Sequence, residues 1–477
     1  MAAVNETRKM LEQAFNYPVN KDIVFRDFKY AGKDCFVLYI DGMASGDKIS
    51  DFILRPLTRS PGGGSVMNVL QVCGVKAETE LEKAVAAVLQ GDAAVCADDA
   101  VYICETKGFD KRGVEKPTVE NSIVGSQEAF NESLRTNTTL LHRIIKNAAL
   151  TTETLTLGRL NNLVCGVIYV NGIADMGLVA EVKRRLGGVE TDFLQSGGMV
   201  EQFIEDQASS LFQTVTTTER PDNAAALLMQ GRVGIIVDGS PRVIVAPVTL
   251  FTLLKTSEES AMRAPLASSI RAVRILAVFA ALLMPALYLA ATTFHAEMIP
   301  AALLLNLAGA RLNIPYPAMV ELLLMEISFE LIREAGQRIP GPIGGTVGIV
   351  GGLILGEAAV SAGLVSQGCV VIIAFSGLGS FAIPQYQLTF TVRLLRLIFL
   401  ICAGLMGFLG VGAAFVILVG YVNSLTSFGT DYVSPVFSGA PVFPKCPVWE
   451  YETRPPELNA ARPEYQPGIS RKWREGR

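Results

Sequence analysis

The sequence predicts an α/β soluble N-terminal half, made of two similar tandem subdomains, followed by an all-α polytopic membrane domain. The membrane part of this prediction rests on four apolar runs in the second half of the chain, at residues 274–294, 346–365, 368–384 and 394–422. Each run is long enough, or nearly so, to cross ~30 Å of hydrocarbon at ~1.5 Å per residue. The first half of the chain contains no such run, and we therefore expect it to lie in water.

An internal repeat in the first half predicts the two similar subdomains. The strand-like stretch 36–42 ends in glycine and is echoed by the stretch 167–172, which also ends in glycine. Two-stranded hairpins are expected over residues 94–104 and 233–245. In both copies a strand, a helix, a second helix closed by glycine and a hairpin follow in that order. The alternative is that the order of strand, glycine and helix recurs by chance.

These patterns divide the chain into four parts. A helix that links the two subdomains is expected from Ser126, which would cap it, to Ile145. We expect a first α/β subdomain over residues 1–115, the linking helix and a second α/β subdomain over 116–262, a transmembrane domain of about five membrane segments over 263–430, and a polar C-terminal tail over 431–477.

The composition excludes several classes of protein. With 477 residues, 50% hydrophobic content and a mean hydropathy of +0.38, the chain is too apolar for an ordinary soluble enzyme. A net charge of −4 provides no basic field for nucleic acid. Eight cysteines without a CxxC pair and only two histidines predict no metal site and no cofactor. Because no arrangement of nucleophile, base and acid is found, we predict that the protein is not an enzyme.

Basic residues and glycines predict the topology of the second half. Arg263, Arg271 and Arg274 precede the first apolar run, and an excess of Lys and Arg marks the cytoplasmic side. The missing apolar core of a signal peptide also favours a cytoplasmic first half. Arg393 and Arg396 fit the same side. The last apolar run is too long for one untilted crossing, and the side of the tail is left open; the residues that could break this run into two pieces are Gly404, Gly407, Gly410 and Gly412.

Acidic residues interrupt the apolar pattern between the first two runs. A helix is expected over residues 317–335, and charges inside a membrane domain are costly unless they serve ions or a charged ligand. If copies of this helix surround an axis, its carboxylates form rings that attract cations. An interfacial helix with a wet polar face is the alternative. The residues that share one face, within about 100° of one another, are Glu326, Glu330, Arg333, Glu334 and Gln337.

A ladder of small residues follows the acidic helix. Gly344, Gly348, Gly352 and Gly356 recur every four residues, a period that allows backbones to approach closely within a membrane. Helix packing explains these glycines. Glu357 comes next, inside an expected span, where it must face protein, water or a passing ion. The candidate ion path therefore comprises Glu326, Glu330, Glu334 and Glu357.

Several short motifs occur together from residue 219 onward. They are Glu219-Arg-Pro-Asp222, residues 231–241, Met284-Pro-Ala-Leu-Tyr288, residues 295–300, residues 329–340, residues 351–360 and Ser427-Phe-Gly429. Together these motifs resemble the A subunits of the GerA family of spore germinant receptors, and the resemblance runs from about Val119 to Pro435. In the linking helix the chain departs from the family, with Gln127-Glu-Ala-Phe130 in place of the usual Arg-Glu-Gly-Phe stretch and His142-Arg143-Ile144 in place of an Arg triplet.

The resemblance implies a multi-pass protein of the inner spore membrane, with its soluble half on the core or cytoplasmic side. It further implies a complex with a transporter-like B subunit and a C lipoprotein. The A subunit is expected to form a homo-oligomer and to open a nutrient-gated cation channel at the start of germination. The acids of the expected membrane domain are independent support for an ion path.

Three alternatives stay open from the sequence. A sporulation-stage paralogue in the same membrane would also act in ion release. A secondary transporter with a soluble regulatory domain would act as a monomer, although the membrane half shows no evident repeat. A scaffold that only recruits partners would leave the acids unexplained.

Overall fold

A computed structural model gives the fold. It describes residues 2–59, 65–97, 100–108, 125–338 and 354–433, together with residues 117, 120 and 352. Within these residues the first part of the chain is α/β, and nearly all of the regular structure from Ala264 onward is helical. We refer to residues 264–424 as the helical half.

The first α/β unit is built on a five-stranded antiparallel sheet. Its strands are β1 Ile23–Tyr30, β2 Lys33–Ile40, β3 Val75–Glu78, β4 Ala93–Ala97 and β5 Ala100–Cys104, in the spatial order β1-β2-β4-β5-β3. Its helices are α1 Ala2–Ala14, α2 Gly46–Lys48, which continues through a π-helical turn Ile49–Leu54 into α3 Arg55–Arg59, then α4 Val66–Val69 and α5 Leu81–Val88.

The second α/β unit repeats this arrangement. Its strands are β6 Leu150–Leu157, β7 Leu163–Val170, β8 Thr216–Thr218, β9 Val233–Val237 and β10 Val243–Ala246. Their spatial order, β6-β7-β9-β10-β8, is the order of the first sheet with every strand replaced by its counterpart. The expected hairpins over residues 94–104 and 233–245 are both present. The helices of this unit are α6 Leu134–Ile144, α7 Met176–Gly187, α8 Gly197–Ile204 and α9 Pro221–Met229.

Alternation along the central strands explains why the second sheet is covered on both faces. In β7, Val167 and Tyr169 belong to one buried cluster, and Ile168 and Val170 belong to another. Successive side chains of a strand point to opposite faces, so an unbroken apolar strand must bury both. Helices α7 and α8 contribute to the first cluster, and α6 and α9 contribute to the second.

The linking helix begins later than the sequence led us to expect. Helix α6 starts at Leu134, and the Ser133 hydroxyl accepts a hydrogen bond from the Thr136 amide. Ser126 instead accepts from the Glu128 amide, in a turn outside the helix. Asn131 accounts for the difference, because its side-chain oxygen accepts from the Ser133 amide at 2.9 Å and so satisfies locally a donor that a longer helix would use.

The helical half contains two helices that are long and apolar enough to cross a membrane, within the part of the chain that is described: Pro265–Thr293 and Tyr386–Ser424. Two shorter apolar helices accompany them; of the expected run 346–365, residues 346–351 and 353 lie outside the described residues, and 354–361 are helical. In order, the elements from residue 250 onward are α10 Leu250–Leu253, α11 Glu258–Ala261, α12 Ala264–Thr293, α13 Ala301–Arg311, α14 Ala318–Arg338, α15 over residues 354–361, α16 Gln367–Phe381, α17 Tyr386–Ser424 and the short strands β11 Thr426–Ser427 and β12 Thr430–Asp431.

Helix α17 reverses direction at Gly407. A straight helix of its 39 residues would be about 58 Å long, yet both of its ends contact the same loop of the second α/β unit. The Thr391 hydroxyl donates to the Leu211 carbonyl, and the Tyr421 hydroxyl lies 2.8 Å from that of Ser210. Gly407 has φ 60° and ψ −140°, a backbone conformation outside the helical region. We call residues 386–406 the first arm and residues 408–424 the return arm.

Candidate functional site

The charged side chains of the helical half gather between α14 and the first arm of α17. One face of α14 is apolar and brings Leu322 and Met325 into the buried core. The adjoining face carries Glu326 and Glu330 against the first arm, where they meet Arg396 and Arg393. The lower-numbered acid meets the higher-numbered arginine, so α14 and the first arm run antiparallel.

Glu326 and Arg396 form the inner of the two pairs. Arg396 Nη2 lies 2.6 Å from Glu326 Oε2, and the side chains are only 5% and 2% exposed. Arg396 Nη1 also donates to the Ser376 hydroxyl at 2.6 Å, and that hydroxyl donates to the Ala281 carbonyl at 2.9 Å. One guanidinium group therefore connects α14, α16, α17 and, through Ser376, α12.

Glu330 and Arg393 form the outer pair, one helical turn away. Arg393 Nη1 donates to Glu330 Oε1, while Arg333 Nη1 lies 3.9 Å from Glu330 Oε2. Arg333 Nη2 donates to the Ser380 hydroxyl at 3.2 Å, and its guanidinium lies over the Phe381 ring at 5.0 Å from the centroid. The Glu330 side chain is 43% exposed, so this pair borders the surface of the chain.

A third charged pair lies elsewhere in the helical half. Glu321 is buried, and its Oε2 accepts from the Ser366 amide at 3.0 Å. Arg311 Nε lies 3.7 Å from Glu321 Oε1, beyond hydrogen-bonding distance. The Arg311 guanidinium is 5.7 Å from the centroid of the Tyr288 ring. This pair connects α13 to α14 and does not contact α17 through any bond described here.

The predicted acidic stripe is divided in the folded chain. Glu326 and Glu330 are engaged by arginines, whereas Glu334, on the last part of α14, is exposed. Glu357 is exposed as well, on α15 rather than on α14. The fold thus brings two of the four predicted residues together within one chain and leaves the other two on its surface.

Two of the four predicted ladder glycines, Gly344 and Gly348, lie outside the described residues. A Cβ atom added to Gly352 would lie 3.5 Å from the Phe329 ring on α14. One added to Gly356 would lie 3.3 Å from Val370 Cγ1 on α16, tighter than ordinary van der Waals contact. Both described glycines therefore face neighbouring helices of the same chain.

Arg393 and Arg396 were not predicted to be partners of the acids. From the sequence we expected them on the cytoplasmic side, whereas both are buried between helices. A usable signal was present, because two arginines three residues apart inside an apolar run share one helix face and must find partners away from lipid. Ser376 carries no such signal, since small hydroxyl residues are common in apolar helices.

Contacts at three places join the helical half, and the segments that flank it at α11 and β11, to one another and to the second α/β unit. At the start of α12, Arg271 and Arg274 both reach the buried carboxylate of Glu259. At the start of α17, Gln387 Nε2 donates to Glu201 Oε1 at 3.1 Å. Beyond its end, the Ser427 hydroxyl accepts from the Val248 amide at 2.9 Å. Burial raises the pKa of the Glu201 carboxyl to about 7.

Among the residues that the structure describes, no three His, Cys, Asp or Glu side chains lie together in a way that could hold a metal ion. The polar groups of the helical half are instead carboxylates matched with guanidinium groups and hydroxyls. Such an arrangement stabilises helix contacts and controls where charge is available, but it supplies no nucleophile next to a base.

The fold and this site define a two-part protein, an α/β half joined to an apolar helical half with paired charges in its interior. The chain belongs to the Bacillus/Clostridium GerA spore germination protein family, whose model matches residues 9–457.

Individual relatives agree with this assignment. Spore germination protein KA of Bacillus subtilis (strain 168) is 37% identical over 92% of this chain and 84% of its own length. The uncharacterized membrane protein YfkQ of the same organism is 36% identical over 91% of this chain and 87% of its own. The chain is also similar to the crystal structure of the N-terminal domain of the A subunit of the Bacillus megaterium spore germinant receptor GerK3, at 26% identity and a TM-score of 0.40, over 51% of this chain and 94% of that one.

Proposed function

We propose that this protein is the A subunit of a spore germinant receptor in the inner spore membrane, where it forms a homo-oligomer that opens a nutrient-gated cation channel. A transporter-like B subunit and a C lipoprotein would complete the complex. The α/β half would face the spore core, and the helical half would cross the membrane in several passes. The chain belongs to a family of spore germination proteins, which supports a role in germination.

The observation that carries the ion path is the set of charged side chains inside an apolar helical half. Carboxylates and guanidinium groups are expensive to remove from water, and proteins keep them among apolar helices where ions or charged groups must be handled. Glu326 is buried, Glu330 is partly exposed, and Glu334 and Glu357 are exposed on the single chain. Exposed carboxylates on such helices support a cation path whose lining would be completed by several copies of the chain.

Oligomerisation would give these carboxylates their effect. Each copy adds one charge to a ring, and a low-dielectric surround screens such a ring poorly, so cations concentrate there. The ladder glycines, of which Gly352 and Gly356 are described, would keep the helices close enough to enclose a narrow path. A large side chain at Gly356 would meet Val370 of the same chain, so it should disturb the packing of the helical half more than it disturbs ion selectivity.

Replacement of each acid by its amide tests the proposal. Glu326→Gln, Glu330→Gln, Glu334→Gln and Glu357→Gln keep the shape of the side chain and remove the charge. We expect at least one of them to change nutrient-triggered cation release from spores by about tenfold at normal subunit abundance. Glu190→Gln, at a site on the α/β half that is 80% exposed, is the matched control. Unchanged release in all four variants would put the permeation path elsewhere.

A secondary transporter with a regulatory α/β half is the second candidate. The break at Gly407 favours it, because transporters use discontinuous helices near their binding sites. The purified complex in liposomes separates the two candidates when cation flux and oligomer mass are measured together. A conducting oligomer supports the channel, whereas saturable flux from a single copy supports the transporter.

A further inference from the structure

The two charged pairs between α14 and the first arm of α17 form a ladder with two rungs. Glu326 pairs with Arg396, and one turn away Glu330 pairs with Arg393. Each rung joins residues that are distant in the chain, so together they fix both the position and the rotation of α14 against the first arm. A single pair would leave α14 free to pivot about it.

The balance of charge around this ladder is unfavourable for a cation. The two carboxylates of Glu326 and Glu330 face three guanidinium groups, those of Arg333, Arg393 and Arg396. The local sum is one net positive charge, since two negative and three positive charges are present. A cation near α14 therefore meets no free carboxylate from these two residues while both rungs are closed.

The arm that carries the arginines is also the arm that the second α/β unit holds. Thr391, two residues before Arg393, donates its hydroxyl hydrogen to the Leu211 carbonyl. Gln387, one turn earlier, donates to Glu201. A helix transmits a shift along its axis, so a movement of the loop that contains Leu211 would move Arg393 relative to α14.

From these contacts we infer that Arg393 and Arg396 are positioning residues that keep the carboxylates of α14 paired, and that displacement of the first arm by the second α/β unit releases them. This inference rests on the proposed function, because released carboxylates matter only where cations pass. The two arginines would regulate the path by holding its carboxylates, without lining the path themselves.

Removal of one member of a rung should release the other. Arg393→Gln leaves the Glu330 carboxylate with only the 3.9 Å contact to Arg333, and we expect cation release without nutrient to rise by about tenfold at equal subunit abundance. The exchanged pair Glu330→Arg with Arg393→Glu restores opposite charges, so release without nutrient should return to the wild-type level. Arg393→Lys keeps the charge and should lie between the two. Arg159→Gln, on the α/β half with its side chain 69% exposed, is the control and should leave release unchanged.

The inner rung is tested by a measurement that does not depend on conduction. Thermal unfolding of the purified complex is followed for Glu326→Gln, Arg396→Gln and the double variant. Leaving one buried charge unpaired is costly, so each single variant should destabilise the complex and the double variant should recover, with a coupling of about tenfold in the folded-to-unfolded ratio. In the double variant the two glutamine side chains can still form a hydrogen bond with each other. We therefore expect the double variant to fold.

The outcomes separate this inference from the proposed function. A rise in release that the exchanged pair reverses supports the positioning role. Unchanged release in Arg393→Gln, a rise that the exchanged pair does not reverse, or an inner rung without coupling would overturn it, even if the wild-type complex conducts cations. If the wild-type complex releases no cations when nutrient is added, the proposed channel fails, and the positioning role that depends on it fails too, although coupling across the inner rung would still establish the pairing.

Discussion

The Tyr421 hydroxyl lies 2.8 Å from the Ser210 hydroxyl, which brings the end of the return arm back to the loop that the first arm contacts at Leu211. Because two neighbouring residues of one loop hold both arms, the hairpin of α17 begins and ends on the side of the α/β half. The chain that follows continues this contact, since the Phe428 amide donates to Asp206 at 2.6 Å. This geometry predicts that the chain leaves α17 on the side of the α/β half.

The first prediction concerns the side of the C-terminal tail. We expect a tag placed after residue 477 to be digested under the same conditions as the α/β half, because the first arm of α17 starts, and the return arm ends, beside that half. Protease protection in sealed and opened vesicles measures this. A tag inserted between Phe294 and Pro300, beyond the far end of α12, should show the opposite protection. Digestion of the two tags from the same side would contradict the hairpin.

The second prediction concerns Gly407. Its φ of 60° is unfavourable for other residues, and an added Cβ would lie 2.9 Å from both Phe294 Cβ and His295 Cε1. We expect Gly407→Ala to lower the free energy of unfolding by about 1–3 kcal/mol. Gly412→Ala is the control, because Gly412 is helical and has no neighbour within 4 Å of an added Cβ. Apparent melting temperatures of the purified variants measure both, and equal losses would show that the reversal at Gly407 is not required.

The third prediction concerns pH. Burial raises the pKa of Glu201 from an ordinary value of 4.5 to about 7, so the folded chain holds this proton more tightly than the unfolded chain does. As the pH rises from about 4.5 to about 7, the unfolded chain releases the proton first, and the free energy of unfolding falls. The contribution of the buried acid is therefore favourable below this window and lost above it.

Glu201→Gln should remove this dependence while it keeps a partner for Gln387. We expect the variant to be more stable than wild type by about 1–3 kcal/mol at pH 8 and nearly equal to it at pH 4.5. Thermal unfolding across this range, with the exposed Glu190→Gln as control, measures the effect. A difference that is the same at every pH would show that the substitution acts through packing rather than through the proton.

The fourth prediction concerns the α/β half. We expect residues 1–255 to fold alone as two similar subdomains, because each sheet has its own buried clusters and the strand order of the first recurs in the second. Structure determination of the expressed fragment tests this division. Superposition of β1–β5 on β6–β10 should align the five strands in order. A fragment that stays unfolded, or that forms one undivided sheet, would contradict it.

Local patterns predicted much of the α/β half. Both expected hairpins are present, and the strand order of the first sheet recurs in the second. The predicted start of the linking helix at Ser126 was wrong, because the Ser133 amide donates a hydrogen bond to the Asn131 side chain in a turn. Competition between a side chain and a helix for one donor depends on a few tenths of an ångström, which residue types alone do not specify.

Residue types and their spacing along the chain show where it becomes apolar, which residues alternate into its sheets and which face of α14 carries the acids. These properties are local, because they depend on short stretches of the chain. The way in which the helices pack is what pairs Glu326 with Arg396 and Glu330 with Arg393, and it also returns α17 to the α/β half. A buried charge requires a partner but does not name one, and the choice among distant partners is made when the helices pack.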